Sequence, residues 1–264
     1  MQISANGISI HYQIDGPENA PWLTMSHSLA ANIHMWEWQM PTLTEHFRVL
    51  RYDTRGHGQT DAPENDYTLK LLADDLFGLL DALGIDKTHY VGLSMGGMIG
   101  QTAALRAQEK FLSLSLCDTS SHIPPAAHST WRERIDLARA QGMSALVDGT
   151  IDRWFSSTYQ QNFPLEVNKI REMIIATPVA GFCGCAHAIM GLNVTQEISA
   201  ITLPTLVLVG EDDPGTPVSA HEVIHSRISG SQFVILPNAL HFSNVEQGDA
   251  FNQALLSFLT EHTN

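Results

Sequence analysis

Apolar and polar positions divide the chain into short strand-like runs and longer amphipathic stretches. Near the N-terminus, Ile8, Ile10, Tyr12 and Ile14 alternate with polar residues, the period of a half-buried strand. Asn6-Gly7 sits between this run and a shorter strand-like run before it, a hairpin signal, because both residues tolerate a positive φ. Residues 22–25 and 48–52 read as further strands, and residues 35–40 as a short helix stopped near Pro41. Leu69, Leu72, Leu76, Leu79, Leu80 and Leu83 recur at helical spacing, with Thr68 as N-cap and Gly84 as the stop. Residues 88–91 form the next strand, 98–105 a helix and 112–118 another strand. Strands alternating with helices predict a parallel sheet covered on both faces.

The rhythm breaks between residues 121 and 195, where no strand pattern appears. Residues 131–140, 143–155, 165–176 and 178–191 read as four helices, and Pro178 suits a helix start. Alternation then resumes. A strand at 205–209 precedes a helix framed by Thr216 as N-cap, Pro217 as first helical residue and Gly230 beyond its end. A strand at 233–236 and a helix at 249–260 close the chain. The expected architecture is α/β, with a mostly parallel eight-stranded sheet. Residues 1–120 and 196–264 form its core domain, and residues 121–195 a helical cap inserted in it.

Composition narrows the function classes. A length of 264 residues with 44% hydrophobic content fits one large α/β domain. The formal net charge of −14 disfavours nucleic acid and anionic membranes, both polyanions, as partners. Three cysteines, Cys117, Cys183 and Cys185, give no disulfide framework and point to a reducing compartment. The first residues lack a basic segment followed by an apolar one, and no apolar run is long enough to span a bilayer. A soluble cytoplasmic protein is therefore expected. Cys183-Gly184-Cys185-Ala186-His187 lacks a fourth ligand at recognisable spacing, so no metal is expected. No cofactor is called for, and a homo-oligomer stays open.

The chemistry centres on Gly92-Leu93-Ser94-Met95-Gly96, placed between a strand and a helix. Glycines on either side let the backbone double back, exposing the Ser94 hydroxyl above a helix N-terminus where developing negative charge is favoured. A serine hydroxyl needs a base, and the base an orienting acid. In open α/β sheets such groups follow the carboxyl ends of strands. His241 follows the last strand, and Asp212-Asp213 follow the strand before it, giving the chain order Ser, Asp, His expected of this arrangement. Asp213 is favoured and Asp212 stays open. The backbone N–H groups of Met95 and Leu29 are the candidate oxyanion donors. Asp53, Arg55, His57 and His27 read as loop-tying side chains. Trp36, Trp131 and Trp154 are candidate pocket walls, each equally able to be packing.

Several segments together resemble the α/β-hydrolase superfamily across nearly the whole chain, and more narrowly the 3-oxoadipate enol-lactonases of aromatic catabolism. They are His27-Ser28-Leu29, residues 47–58, Gly92 to Gly97, Arg153-Trp154-Phe155, residues 210–217 and residues 241–247. The resemblance implies an α/β-hydrolase fold with nucleophile Ser94, acid Asp213 and base His241. It implies hydrolysis of a small-molecule carboxylic ester or lactone through an acyl-enzyme, with 3-oxoadipate enol-lactone one candidate. Serine at position 94 argues against dehalogenases and epoxide hydrolases, which use aspartate there. Asn193 stands where the lactonases usually carry aspartate, and residues 120–130 depart from their usual cap entry. A general carboxylesterase, a perhydrolase or C–C bond hydrolase on the same triad, and a ligand receptor on this fold are the alternatives.

Overall fold

The computed structural model describes residues 1–263. Strands β1 (Gln2–Ala5) and β2 (Ile8–Asp15) pair antiparallel across Asn6 and Gly7, whose φ angles are 46° and 76°. Then come β3 (Trp22–Ser26), β4 (Arg48–Tyr52), β5 (Thr88–Leu93), β6 (Phe111–Cys117), β7 (Thr205–Gly210) and β8 (Gln232–Leu236). They form one eight-stranded sheet in the order β1-β2-β4-β3-β5-β6-β7-β8. β2 is antiparallel to β4, and every pairing from β4 onward is parallel. All six residues of β5 and of β7 are buried, as strands covered on both faces must be. The register pairs Ser26 with Gly92, Leu93 with Cys117, and Gly210 with Leu236. The loops leaving these strands therefore gather at one edge, where open α/β sheets place their ligands.

The helices are α1 (Met40–Leu43), α2 (Leu69–Ala82), α3 (Met95–Ala104), α4 (His128–Gln141), α5 (Val147–Trp154), α6 (Ser157–Asn162), α7 (Pro164–Ala176), α8 (Val179–Met190), α9 (Val218–Arg227), α10 (Ser243–Glu246) and α11 (Gly248–Glu261). They cover both faces of the sheet. α4 to α8 all lie between β6 and β7. Thr68 caps α2 by accepting from the Leu71 N–H, and Leu69, Leu72, Ala73, Leu76, Leu79 and Leu80 face the core. The Arg55 guanidinium grips Asp75 of α2 through Nε at 2.7 Å and Nη2 at 2.6 Å, tying the turn after β4 to that helix. Among the described residues no single helix is long and apolar enough to cross a membrane.

Three local expectations need correction. Pro41 does not stop a helix: it lies in the first turn of α1, where a residue without an N–H costs nothing, and residues 33–36 form a separate 3-10 turn. Thr216 does not cap α9. Pro217 holds that position, and the Thr216 hydroxyl donates to Asp213 instead. Helix α6 was not anticipated, because it buries no side chain and so has no apolar period to read. Its signal is the cap alone, Ser156 accepting from the Tyr159 N–H.

Candidate active site

Ser94 sits on a sharp turn between β5 and α3, with φ 56° and ψ −114°. That conformation costs a non-glycine residue roughly 1–3 kcal/mol and persists only where its surroundings enforce it. The Ser94 N–H donates to the Cys117 carbonyl at 2.9 Å, and the Thr119 hydroxyl donates to the Ser94 carbonyl at 2.7 Å. The flanking glycines are needed for space. A Cβ on Gly96 would lie 2.1 Å from the Ser26 carbonyl oxygen, and one on Gly92 would lie 2.3 Å from the Gly96 carbonyl carbon.

Beyond β8, His241 turns its Nε2 to the Ser94 Oγ at 2.9 Å and its Nδ1 to the Asp213 Oδ2 at 2.7 Å. A carboxylate can only accept, so Nδ1 carries the proton and Nε2 keeps its lone pair for the hydroxyl. Asp213, beyond β7, is fixed in turn. Its Oδ1 accepts from the Gly215 and Thr216 N–H groups at 2.7 and 3.0 Å, and its Oδ2 from the Thr216 hydroxyl at 2.6 Å. Asp212 is exposed and points elsewhere, while Asp213 is buried. Of the two adjacent carboxylates, the fold thus brings Asp213 to the imidazole.

Burial pushes the Asp213 carboxyl upward, but the His241 charge and the hydrogen bonds from His241 and Thr216 overcome it and hold the group below its ordinary value. For His241, burial acts to lower the imidazole and the facing Asp213 outweighs it, leaving the net shift upward. Opposed shifts of this kind keep the carboxylate ionised and leave the imidazole able to take up a proton near neutral pH.

The loop after β3 faces this group and carries Leu29. Two histidines hold it in a reciprocal exchange. The Thr54 N–H donates to His27 Nε2 at 2.9 Å, and the Ala30 N–H donates to His57 Nε2 at 3.0 Å. Burial lowers both imidazoles, and His57 falls to about 3, so each stays neutral with a lone pair to accept. Asp53 Oδ1 takes the Ile33 N–H at 2.9 Å on the same loop. Among the described residues the N–H groups of Leu29 and Met95 have no acceptor within the chain, which leaves them free for one outside it.

A cavity of about 400 Å³ opens on Ser94 and His241, walled by Leu29, Trp131, Trp154 and Ile189 among others. Trp154 stacks on Phe242 at 4.0 Å between ring centroids. Trp36 does not belong to the wall: it is fully buried beside Phe251 and packs the core. The sequence reading missed Arg134 and Arg153, which both line the cavity. Neither guanidinium forms an ion pair among the described residues, and Arg134 Nε is buried with no hydrogen-bond partner. Burial, then the charge of Arg153, pulls Arg134 down to about 9. Among the described residues no carboxylate lines the cavity. The sequence signal was Trp131 and Arg134 three residues apart on one helix face, with the Arg134 guanidinium 4.6 Å from the Trp131 ring centroid. A larger open groove of about 670 Å³ beside β2 and α1 contains none of the groups assembled around Ser94. Among the described residues, no three His, Cys, Asp or Glu side chains are placed to hold a metal ion.

Comparison with known proteins agrees with this layout. The family model described as the alpha/beta hydrolase fold matches residues 21–247. The chain is 34% identical to 3-oxoadipate enol-lactonase 1 of Acinetobacter baylyi, over 98% of this chain and 96% of that one. The crystal structure of the enol-lactonase from Burkholderia xenovorans superposes with a TM-score of 0.95 at 37% identity, covering 98% of this chain and 100% of that one. A thermophilic esterase from Thermogutta terrifontis, solved with malate bound, superposes with a TM-score of 0.94 at 29% identity over the full length of both chains. A sharp serine turn at the end of β5, loops gathered at one sheet edge and a family match over most of the length lead to one assignment: the chain belongs to the α/β-hydrolase fold family.

Proposed function

We propose that this chain hydrolyses a carboxylic ester or lactone that itself carries a free carboxylate, with 3-oxoadipate enol-lactone the foremost candidate. The observation that carries the reading is the continuous relay from Asp213 through His241 to Ser94, with links of 2.7 and 2.9 Å. In this reading Ser94 Oγ attacks the carbonyl carbon as His241 Nε2 takes its proton, and Asp213 stabilises the imidazolium. The Leu29 and Met95 N–H groups receive the oxyanion. In a lactone the ring C–O bond then breaks, and the departing oxygen, still tethered through the acyl chain, takes the proton back from His241. Water, deprotonated by the same imidazole, cleaves the acyl-enzyme and frees the acid. Residues 121–195 act as a cap, supplying Trp131, Arg134, Arg153, Trp154 and Ile189 to the cavity and excluding water.

Substrate class rests on the two unpaired guanidiniums. Oxoadipate is a dicarboxylate, so closing one carboxyl into a lactone leaves the other ionised. An anion between Arg134 and Arg153 would relieve their mutual repulsion and satisfy the buried Nε. The relatives' names and the malate held by the Thermogutta esterase, itself a dicarboxylate, support that choice. A second reading, a carboxylesterase for neutral esters, draws on the apolar wall of Met98, Ile123, Trp131, Trp154 and Ile189. A panel of lactones and esters with and without a carboxylate, assayed on the native protein and on Arg134→Gln, separates the two. We expect Arg134→Gln to raise KM for anionic substrates by about 10- to 100-fold, roughly 1.4–2.8 kcal/mol, while neutral p-nitrophenyl acetate is turned over as before. A native preference for neutral esters that the substitution leaves unchanged would establish the second reading.

A further inference from the structure

One buried carboxylate is not used by the proposed chemistry. Asp118 follows β6, has no exposed surface, and adopts a φ of 43°, a left-handed conformation that asparagine, aspartate and glycine tolerate best. Its Oδ1 accepts from the Gly210 N–H at 2.9 Å, at the start of the loop that carries Asp213. Its Oδ2 accepts from the Ser243 hydroxyl at 2.5 Å, two residues past His241. The residues on either side hold the third member. The Cys117 carbonyl takes the Ser94 N–H, and the Thr119 hydroxyl donates to the Ser94 carbonyl. Cys117-Asp118-Thr119 thus touches all three segments of the relay, although none of its atoms reaches the Ser94 hydroxyl.

We propose that Asp118 is a positioning residue: its carboxylate ties the acid-bearing loop to the histidine-bearing loop and presents a second negative charge to the imidazolium that forms when Ser94 gives up its proton. The inference rests on the Ser94–His241–Asp213 reading above. The titratable groups around Asp118 are Asp213 beyond β7, His241 beyond β8, the Cys117 thiol on its own strand, and His221 of α9, which accepts the Thr119 N–H at 2.8 Å. Burial, then the Asp213 charge, pushes the Asp118 carboxyl up to about 8, and His241 draws it down. Both oxygens accept hydrogen bonds, as those of a carboxylate do, and charge on His241 favours the ionised form. A carboxylate facing the imidazolium stabilises the transition state more than the ground state, because the positive charge it meets is present only there.

Asp118→Asn keeps the shape and both hydrogen-bonding positions and removes the charge. On the folded variant, with native circular dichroism, we expect kcat to fall by about 10- to 100-fold with KM little changed. We also expect the acid limb of kcat/KM to move to lower pH, because His241 loses a negative charge that raises its pKa. A purely structural carboxylate would not move that limb. Ser243→Ala removes one hydroxyl and should give the same two effects at smaller size, which keeps the test intact if Asp118→Asn does not fold. Native kcat and an unshifted limb in either folded variant overturn the inference. Turnover abolished in Ser94→Ala but native in Asp118→Asn would do so while leaving the triad reading in place. Turnover retained in Ser94→Ala would remove the triad reading itself, and this inference with it.

Discussion

Four buried histidines near the sheet edge show how one residue type is given opposite tasks. Burial lowers His27, His57 and His221, the last two to about 3 and about 4. Each accepts a backbone N–H, from Thr54, Ala30 and Thr119 respectively. His241 differs because Asp213 faces its Nδ1, and its pKa is raised above 6.5. In the proposed relay the imidazole must be neutral to accept the Ser94 proton, so activity should be lost as pH falls through the raised value. The acid limb of kcat/KM is therefore expected above pH 6.5. Asp213→Asn should shift that limb downward and lower kcat by about 10⁴-fold, since the amide favours the wrong tautomer. A limb unchanged in Asp213→Asn would show that another group sets it. The sequence identified the serine turn because five neighbouring residues encode it. It could not separate Asp212 from Asp213, since both follow the same strand and only packing turns one inward. Arg134 is hidden for a related reason: charged residues on an amphipathic helix ordinarily face water, and its spacing of three from Trp131 gives a shared face without showing that the face turns toward a cavity.

Elements whose apolar face meets the sheet were legible, because burial imposes a period. The leucine stripe of α2 and the runs of β5 and β7 are of this kind. Short elements held by caps or proline geometry were not, as α1, α6 and the start of α9 show. The seat of α8 was also invisible in sequence. There Gly181 meets Gly56 so closely that a Cβ on Gly181 would lie 1.8 Å from the Gly56 carbonyl oxygen. Both partners are backbone, so neither can swing aside. Gly181→Ala must lift α8, which carries Ile189 of the cavity wall, away from the turn after β4. Overpacking of this sort costs roughly 1–3 kcal/mol, a fall of several degrees in Tm for a chain of this size. We expect that fall together with a raised KM. A native Tm and KM would mean that the helical segment yields there without strain.

At the scale of the whole molecule, a net charge of −14 surrounds a cavity lined by two arginines and no carboxylate. Local attraction at the site therefore works against the field of the protein. Alternation in the sequence predicts a parallel sheet, and the strands appear as read. The order β4-β3-β5 and the antiparallel β2 depend on crossovers between distant segments, which no local pattern records. That same topology brings together Leu29, Ser94, Asp118, Asp213 and His241, each beyond a different strand. In the proposed reaction the Ser94 hydroxyl is the acyl acceptor. The most direct test of that role is turnover of 3-oxoadipate enol-lactone and p-nitrophenyl acetate by the native protein and by Ser94→Ala at equal folded concentration. Ser94→Ala is expected to lose about 10⁶-fold in kcat on whichever substrate the native protein accepts, with Tm preserved; turnover by Ser94→Ala within a few-fold of native would exclude the hydroxyl as the acceptor.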